Sequence, residues 1–249
     1  MINLLEQFER DALYYNAEGT AEKIEQAAQI IPTIPDYPTP DDYLRFLHDV
    51  HGVKAKSYSF DSEARKFLSG TLFIDPFTER ALISWNRDMP KNRQSFTKLH
   101  ELYHYFQYIE GKVPIQQTNF NDLLSHRGYN EEEEPLEVEA NFGASLLFLP
   151  TSRLEHDIAM GRSFASMSRM LGMSANALKG RLVEYLHYGH ELNWDISSQI
   201  VNHYQSDLAP KEIQMMVAKD SEPFLYDMLT AVSEGKIYNG ISGPDDLPF

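Results

Sequence analysis

Residues 98–106 read KLHELYHYF. On an α-helix each residue turns by about 100°, so positions four apart nearly overlay. His100 and His104 would then aim two imidazoles at one point, as a tetrahedral metal ion requires. Glu101 is rotated by about 100° from His100, too far to join them easily as a ligand. It can reach a water on an open metal position instead, which is the mechanical content of an HExxH motif. The alternative is a half-buried helix whose histidines bond to nearby loops. A third ligand from elsewhere in the chain decides between the two.

The helical reading of this stretch has support on both sides. Phe96, Leu99, Tyr103 and Phe106 form an apolar stripe at i, i+3, i+7 and i+10, and Gly111 is a plausible stop. Upstream, VKAKSYSF (53–60), GTLFIDP (70–76) and RALISWN (80–86) are short alternating or β-branched segments that read as three strands. The piece DPFTE between the second and third suits a hairpin loop. Residues 112–134 are polar and irregular and read as a long loop. A second helix is expected from about Pro135 to Leu149, stopped by Pro150.

The rest of the chain reads as helical. Residues 1–31 carry a helical pattern, and IPTIPDYPTP (31–40) holds four prolines, which marks a linker or extended arm. TPDDYLRFLHDV reads as a capped helix with Thr39 before Pro40 and acids in its first turn. Within 151–190 two or three short helices are expected, with a turn at Gly172 and Ser174 as an N-cap. Beyond 190 lie helical patches, and residues 235–249 read as a loosely held tail.

Composition narrows the function. Asp and Glu number 37 against 22 Lys and Arg, a net charge of −15. Such a surface repels phosphate backbones, which argues against direct DNA binding and favours a basic partner such as a DNA-binding protein. The chain has no cysteine, so a transition metal must use His, Asp or Glu, and no disulfide can form. The N-terminus lacks the features of a signal peptide and no run of 18 apolar residues occurs, so no membrane span is expected and the cytoplasm is the expected location.

Candidates for a third ligand are His126, the glutamates of 131–139, and His156. In EEEEPLEVEANFGASLLFLP, Ala140, Gly143 and Ala144 give the second helix a small-residue face that allows close approach to a neighbour. Glu137 lies about 60° around the helix from Ala140 and Glu139 about 100° away on the other side, so Glu137 is nearer the packed seam. The EEEE run reads more simply as a solvated acidic segment.

With these stretches in view, the chain resembles the ImmA/IrrE family of zinc metallo-endopeptidases. RQSFTKLHELYHYF (93–106) is similar to that family's R-Q-x-F-T-x-x-H-E-x-x-H stretch, and EVEANFGASLLFLP (137–150) to its E-x-x-A-N segment ending in Leu-Leu-x-Met/Leu-Pro. MSANALKGRL (173–182) is similar to its helical S-x-x-A-x-x-x-R-L trailer. The resemblance covers roughly residues 40–185. It implies an α+β fold with a zincin-like metallopeptidase core, a small three-stranded or larger sheet packed on the HExxH helix, and mainly helical N- and C-terminal parts. It implies one zinc ion per chain, held by His100, His104 and Glu137, with Glu101 as catalytic acid/base and Asn141 orienting the ligand shell. Its implied substrate is a helix-turn-helix repressor, cut to release genes under stress or in a mobile element, the peptide lying along an edge strand for which RALISWN is the candidate. Leu99 and Tyr103 stand where the family has small residues, and Gly143 replaces a common aromatic; Gly143 could supply room for Tyr103.

The expected organisation is an N-terminal helical arm and Pro-rich linker over 1–40, the metallopeptidase domain over 41–150, a helix-turn-helix-like extension over 151–190, and a C-terminal helical region and tail over 191–249. A competing reading is a regulator whose metal site is structural. It would sequester a repressor, or bind DNA through 163–186, where Arg162, Arg169, Lys179 and Arg181 outnumber Glu184. Tyr105, Tyr108, Tyr129, His126 and Arg127 are candidate donors to a developing oxyanion. His48, His51, His156, His187, His190 and His203 show no ligand spacing to the site and read as structural or solvated.

Overall fold

The computed structural model describes residues 7–61, 63, 68–75, 77–113, 119–123, 134–206 and 210–217, with backbone only for 119–123 and 210. They fall into two compact units: the described residues of Met1–Arg153 with Leu171–Ala177, and those of Leu154–Met170 with Leu178–Phe249. The fold is α+β and mostly helical, with one mixed sheet in the first unit. No helix among the described residues is long and apolar enough to cross a membrane.

In the first unit, helix α1 (Gln7–Gln29) buries Tyr14, Ala17, Ala21, Ile24 and Ala28, alternating steps of three and four that keep one stripe on one side. The Pro-rich segment after it is tied down: the Gln29 amide donates to the Asp36 carbonyl, and Arg153 stacks over the Tyr37 ring at 4.6 Å. Helix α2 (Pro40–His51) starts with a full capping box, the Thr39 hydroxyl accepting from the Asp42 amide and the Asp42 carboxylate accepting from the Thr39 amide. Gly52, at φ 70°, closes it in the left-handed conformation that an L side chain resists.

Strands β1 (Lys54–Tyr58), β2 (Leu68–Ile74) and β3 (Ala81–Asn86) occupy the three expected positions. The β2–β3 hairpin loop is held by the Asp75 carboxylate, which accepts from the amides of Phe77 and Thr78 and from the Thr78 hydroxyl. The structure corrects two expectations. Residues 112–134 are not wholly loop, because Asn119–Leu123 forms β4, paired antiparallel with β2. NFNDL holds three residues that disfavour strands, so pairing with an open strand edge, rather than local preference, decides its conformation. RALISWN is not an edge strand either. The order is β1-β3-β2-β4, so β3 is interior, parallel to β1 and antiparallel to β2.

Helix α3 (Lys91–Ile109) carries the HExxH residues and runs through the centre of the unit. Every residue from Leu99 to Tyr105 is buried, because the helix is enclosed on several sides. One side meets the sheet. A Cβ at Gly70 of β2 would lie 2.2 Å from the Thr97 methyl, 2.9 Å from the Ser84 carbonyl oxygen and 3.1 Å from Glu101 Oε1. A second side meets α2 through stacked Phe46 and Phe106, and Lys98 reaches Asp41 at 2.6 Å. The turn from β3 into α3 is sewn by Gln94, whose amide donates to the carbonyls of Arg87 and Met89 while its oxygen accepts from the Trp85 indole.

A third side of α3 meets α4 (Glu134–Phe148), which also packs on α1, with Tyr14 set edge-on to Phe142. Gly143 does supply room for Tyr103. A Cβ there would fall 2.0 to 2.6 Å from three atoms of the Tyr103 ring. The ring fits only because residue 143 has no side chain, and its hydroxyl passes on to donate to Glu139 Oε1 at 2.8 Å.

The second unit holds most of α5 (Thr151–Ala159), α6 (Phe164–Leu171) and α7 (Ala175–Glu184), a π-helical turn at Tyr185–Gly189, α8 (Trp194–Gln205) and α9 (Pro210–Val217). Gly172 turns at φ 67° and Ser174 Oγ accepts from the Ala177 amide, as expected. Arg181 is fully buried and Arg162 faces Asp157 at 3.0 Å. The burial of Arg181 takes one of the four basic residues of the DNA-binding alternative out of a phosphate-facing role. The expected tail at 235–249 lies outside the described residues.

Overpacking a filled interior typically costs about 1–3 kcal/mol. Gly143→Ala should therefore lower the unfolding free energy by that amount in urea titrations. On a Tyr103→Ala background the same substitution should become neutral or stabilising, because alanine is by about 1 kcal/mol the better helix former.

Candidate metal centre

Three side chains from two helices converge between α3 and α4. His100 Nε2 and His104 Nε2 stand 3.0 Å apart. The Glu137 carboxylate faces both, Oε2 at 3.2 Å from His100 Nε2 and Oε1 at 3.2 Å from His104 Nε2. All three residues are buried. Spacing on α3 accounts for the two histidines. The third group arrives because the close approach at Gly143 brings the first turn of α4 alongside them.

The set fits a metal ion. A tetrahedral ion with bonds of about 2.05 Å separates its ligand atoms by about 3.3 Å, close to the spacings seen here. Two imidazole nitrogens and a carboxylate are donors that zinc accepts, and thiolates are excluded by the absence of cysteine. His100, His104 and Glu137 are thus a buried group able to hold a divalent ion. The electrostatics agree. Burial pushes the Glu137 carboxyl up, yet hydrogen bonding and charge from His100 and His104 outweigh it and hold the group well below the usual carboxylate range.

Glu101 is fully buried one residue after the first histidine, on the side of α3 that meets the sheet. Its carboxylate lies against β2 at Gly70, where any side chain would crowd it. Glu101 and Glu137 therefore come from different elements and occupy different surroundings. Glu137 is clasped by two imidazoles; Glu101 is flanked by backbone.

The other described candidates have surroundings of their own. Glu139 is buried but belongs to a separate polar group, accepting from the Tyr103 hydroxyl and lying 2.7 Å from Lys112 Nζ, which also reaches Glu110 at 3.1 Å. Burial and the nearby Glu139 push the Tyr103 phenol far up, so it stays protonated and donating. His156 sits on α5 in the second unit. Of the candidate oxyanion donors, Tyr105 packs edge-on against His51 and Phe106, while Tyr108 is half-buried. His126, Arg127, Tyr129 and Glu131 to Glu133 lie outside the described residues.

Asn141 is half-buried one turn beyond Glu137, but the amide seen bonding to a ligand histidine is another. Gln107 Oε1 lies 2.7 Å from His104 Nδ1, and Gln107 Nε2 donates to the Leu136 carbonyl at 3.0 Å. The sequence carried a signal for this: Gln107 follows His104 by three residues, a spacing that places side chains together on a helix. No protein-family model matches the sequence, and no curated protein matches it.

Metal analysis of the purified protein should find close to one divalent ion per chain. Removing an imidazole from a three-ligand set should abolish it, so His104→Ala should retain less than about a tenth of an equivalent after dialysis. The check is elemental analysis beside circular dichroism, which should show the fold retained.

Proposed function

We propose that this chain is a zinc-dependent endopeptidase allied to the ImmA/IrrE family, with one zinc held by His100, His104 and Glu137. The observation that carries the reading is the convergence of those three ligands at 3.0 to 3.2 Å, with a fully buried Glu101 next in sequence to the first of them. A structural site needs no such neighbour. When bound, zinc with three protein ligands keeps one position open, lowers the pKa of a water there to about 7 and polarises a carbonyl.

The chain's own residues supply the remainder. Glu101 takes the proton of the attacking water and passes it to the leaving amine nitrogen, so one carboxylate serves as base and then as acid. Its position between the metal helix and β2 excludes bulk water from that transfer. Glu137, held ionised between two imidazoles, is unsuited to carrying a proton and serves as a ligand.

A peptide substrate laid along the sheet must use an edge, and β3 is interior. A strand added beyond β4 would lie two strand spacings from β2, about 10 Å; one added beyond β1 would lie three, about 14 Å. Since β2 carries the glycine that faces Glu101, the β4 edge is the nearer and the better choice. The substrate proposed from the resemblance is a helix-turn-helix repressor in the cytoplasm. A net charge of −15 would speed encounter with such a basic partner while discouraging contact with its DNA.

Incubation with a repressor encoded by a neighbouring gene should yield two fragments by mass spectrometry. Glu101→Gln should slow cleavage by about 10²–10⁴-fold, the usual contribution of a positioned acid/base, while keeping one zinc per chain. Cleavage that persists in that variant would remove Glu101 from its role.

A further inference from the structure

The Gln107 side chain is fully buried where α3 meets α4, and both ends of its amide are engaged. We infer that Gln107 is a positioning residue. It transmits the location of the α4 backbone to the tautomer of His104, so that one amide presets two of the three ligands. This rests on the metal-site reading above and extends it to a residue outside the motif.

The direction of the relay follows from which groups can donate. A backbone carbonyl only accepts, so Leu136 requires the N–H end of the Gln107 amide. That orientation leaves the amide oxygen facing His104 Nδ1 at 2.7 Å. An amide oxygen also only accepts, so Nδ1 must carry a hydrogen. A neutral imidazole with its hydrogen on Nδ1 has its lone pair on Nε2, the atom that faces His100 and Glu137. The reverse tautomer would set two acceptors together at Nδ1 inside a closed interior and leave that bond unmade.

The relay couples position as well as protonation. Leu136 directly precedes Glu137 in the first turn of α4, so the bond to its carbonyl locates the backbone carrying the third ligand. A shift of α4 away from α3 would break the Leu136 contact and free the amide to turn over, and the imidazole would lose its imposed tautomer together with its carboxylate partner. The side chain acts as a latch across the seam. No hydrocarbon could do this, because the site needs an acceptor at one end and a donor at the other.

Two variants test it. Gln107→Leu keeps similar bulk but removes both bonds. Gln107→Glu keeps an acceptor for Nδ1 while losing the donor to Leu136. Zinc affinity is read by competition with a chromophoric chelator, and the His104 tautomer of the metal-free protein by nitrogen-15 spectra of the imidazoles. In the native chain His104 should show a single tautomer protonated at Nδ1. Gln107→Leu should bind zinc about 10–100-fold more weakly, as lost partners of metal ligands do, and should populate the Nε2-protonated form. Gln107→Glu should keep the Nδ1 tautomer and recover part of the affinity. A side chain that merely packs would shift thermal stability without moving the tautomer. Native affinity in Gln107→Leu, or an unchanged tautomer there, overturns this inference alone. A native chain that takes up no zinc overturns the metal-site reading along with it.

Discussion

Three electron-pair donors held about 3 Å apart in a closed interior are an electrostatic difficulty before they are a site. The effective penalty for burying an ion in a protein is several kcal/mol, and Glu137 is buried and held ionised. Two facing imidazole nitrogens add nothing favourable unless something positive stands between them and the carboxylate. Such an arrangement survives only if the surrounding structure holds the groups in place and a cation, whether proton or metal, balances them. The remainder of the first unit is organised around meeting that condition. α3 is enclosed by the sheet, α2 and α4, and its buried run from Leu99 to Tyr105 has no freedom to turn the histidines outward.

Much of the holding is done by absent atoms. Tyr103 precedes His104 and is bulky, yet α4 still approaches, because Gly143 leaves space for the ring. The same ring then sends its hydroxyl to Glu139, which lies near the Lys112 ammonium. A bulky ring on one helix is thus answered by a glycine on the facing helix, and its hydroxyl is held in a polar network. Volume is conserved across the seam, which is what a close-packed interior demands.

What could be read from the residues, and what could not, divides along one line. Features set by neighbours within a few positions were legible: the capping box of Thr39 and Asp42, the left-handed turn at Gly172, the helical seat of His100 and His104, and the placement of Glu137 near the seam. Features set by distant partners were not. NFNDL has weak strand preference and becomes β4 by pairing with β2. RALISWN looked like an edge because it precedes the metal helix, but strand order depends on how β1 and β2 flank it, which no local pattern encodes. Glu139 could be separated from Glu137 by angle, but its bond to Tyr103 could not be foreseen. Gln107 follows His104 by three residues, but its part is completed by a carbonyl from another helix, which no local spacing encodes.

The two carboxylates show how the same chemical group is given two different surroundings without any change in residue type. Glu137 comes from a second helix and faces two imidazole nitrogens, each at 3.2 Å. Glu101 comes from the metal helix itself and meets the backbone of β2 at Gly70. The spacing of sheet from helix at that point is set by glycine: a methyl group there would strike Thr97 and Ser84 before anything else and push β2 outward. Moving β2 would also move β4, which is paired to it and is the last strand of the sheet among the described residues. One residue with no side chain therefore governs both the confinement of the proposed base and the height at which an added peptide strand would run. The spacing of His100, His104 and Glu137 is set at the α3–α4 seam, while Glu101 lies at the seam between α3 and the sheet.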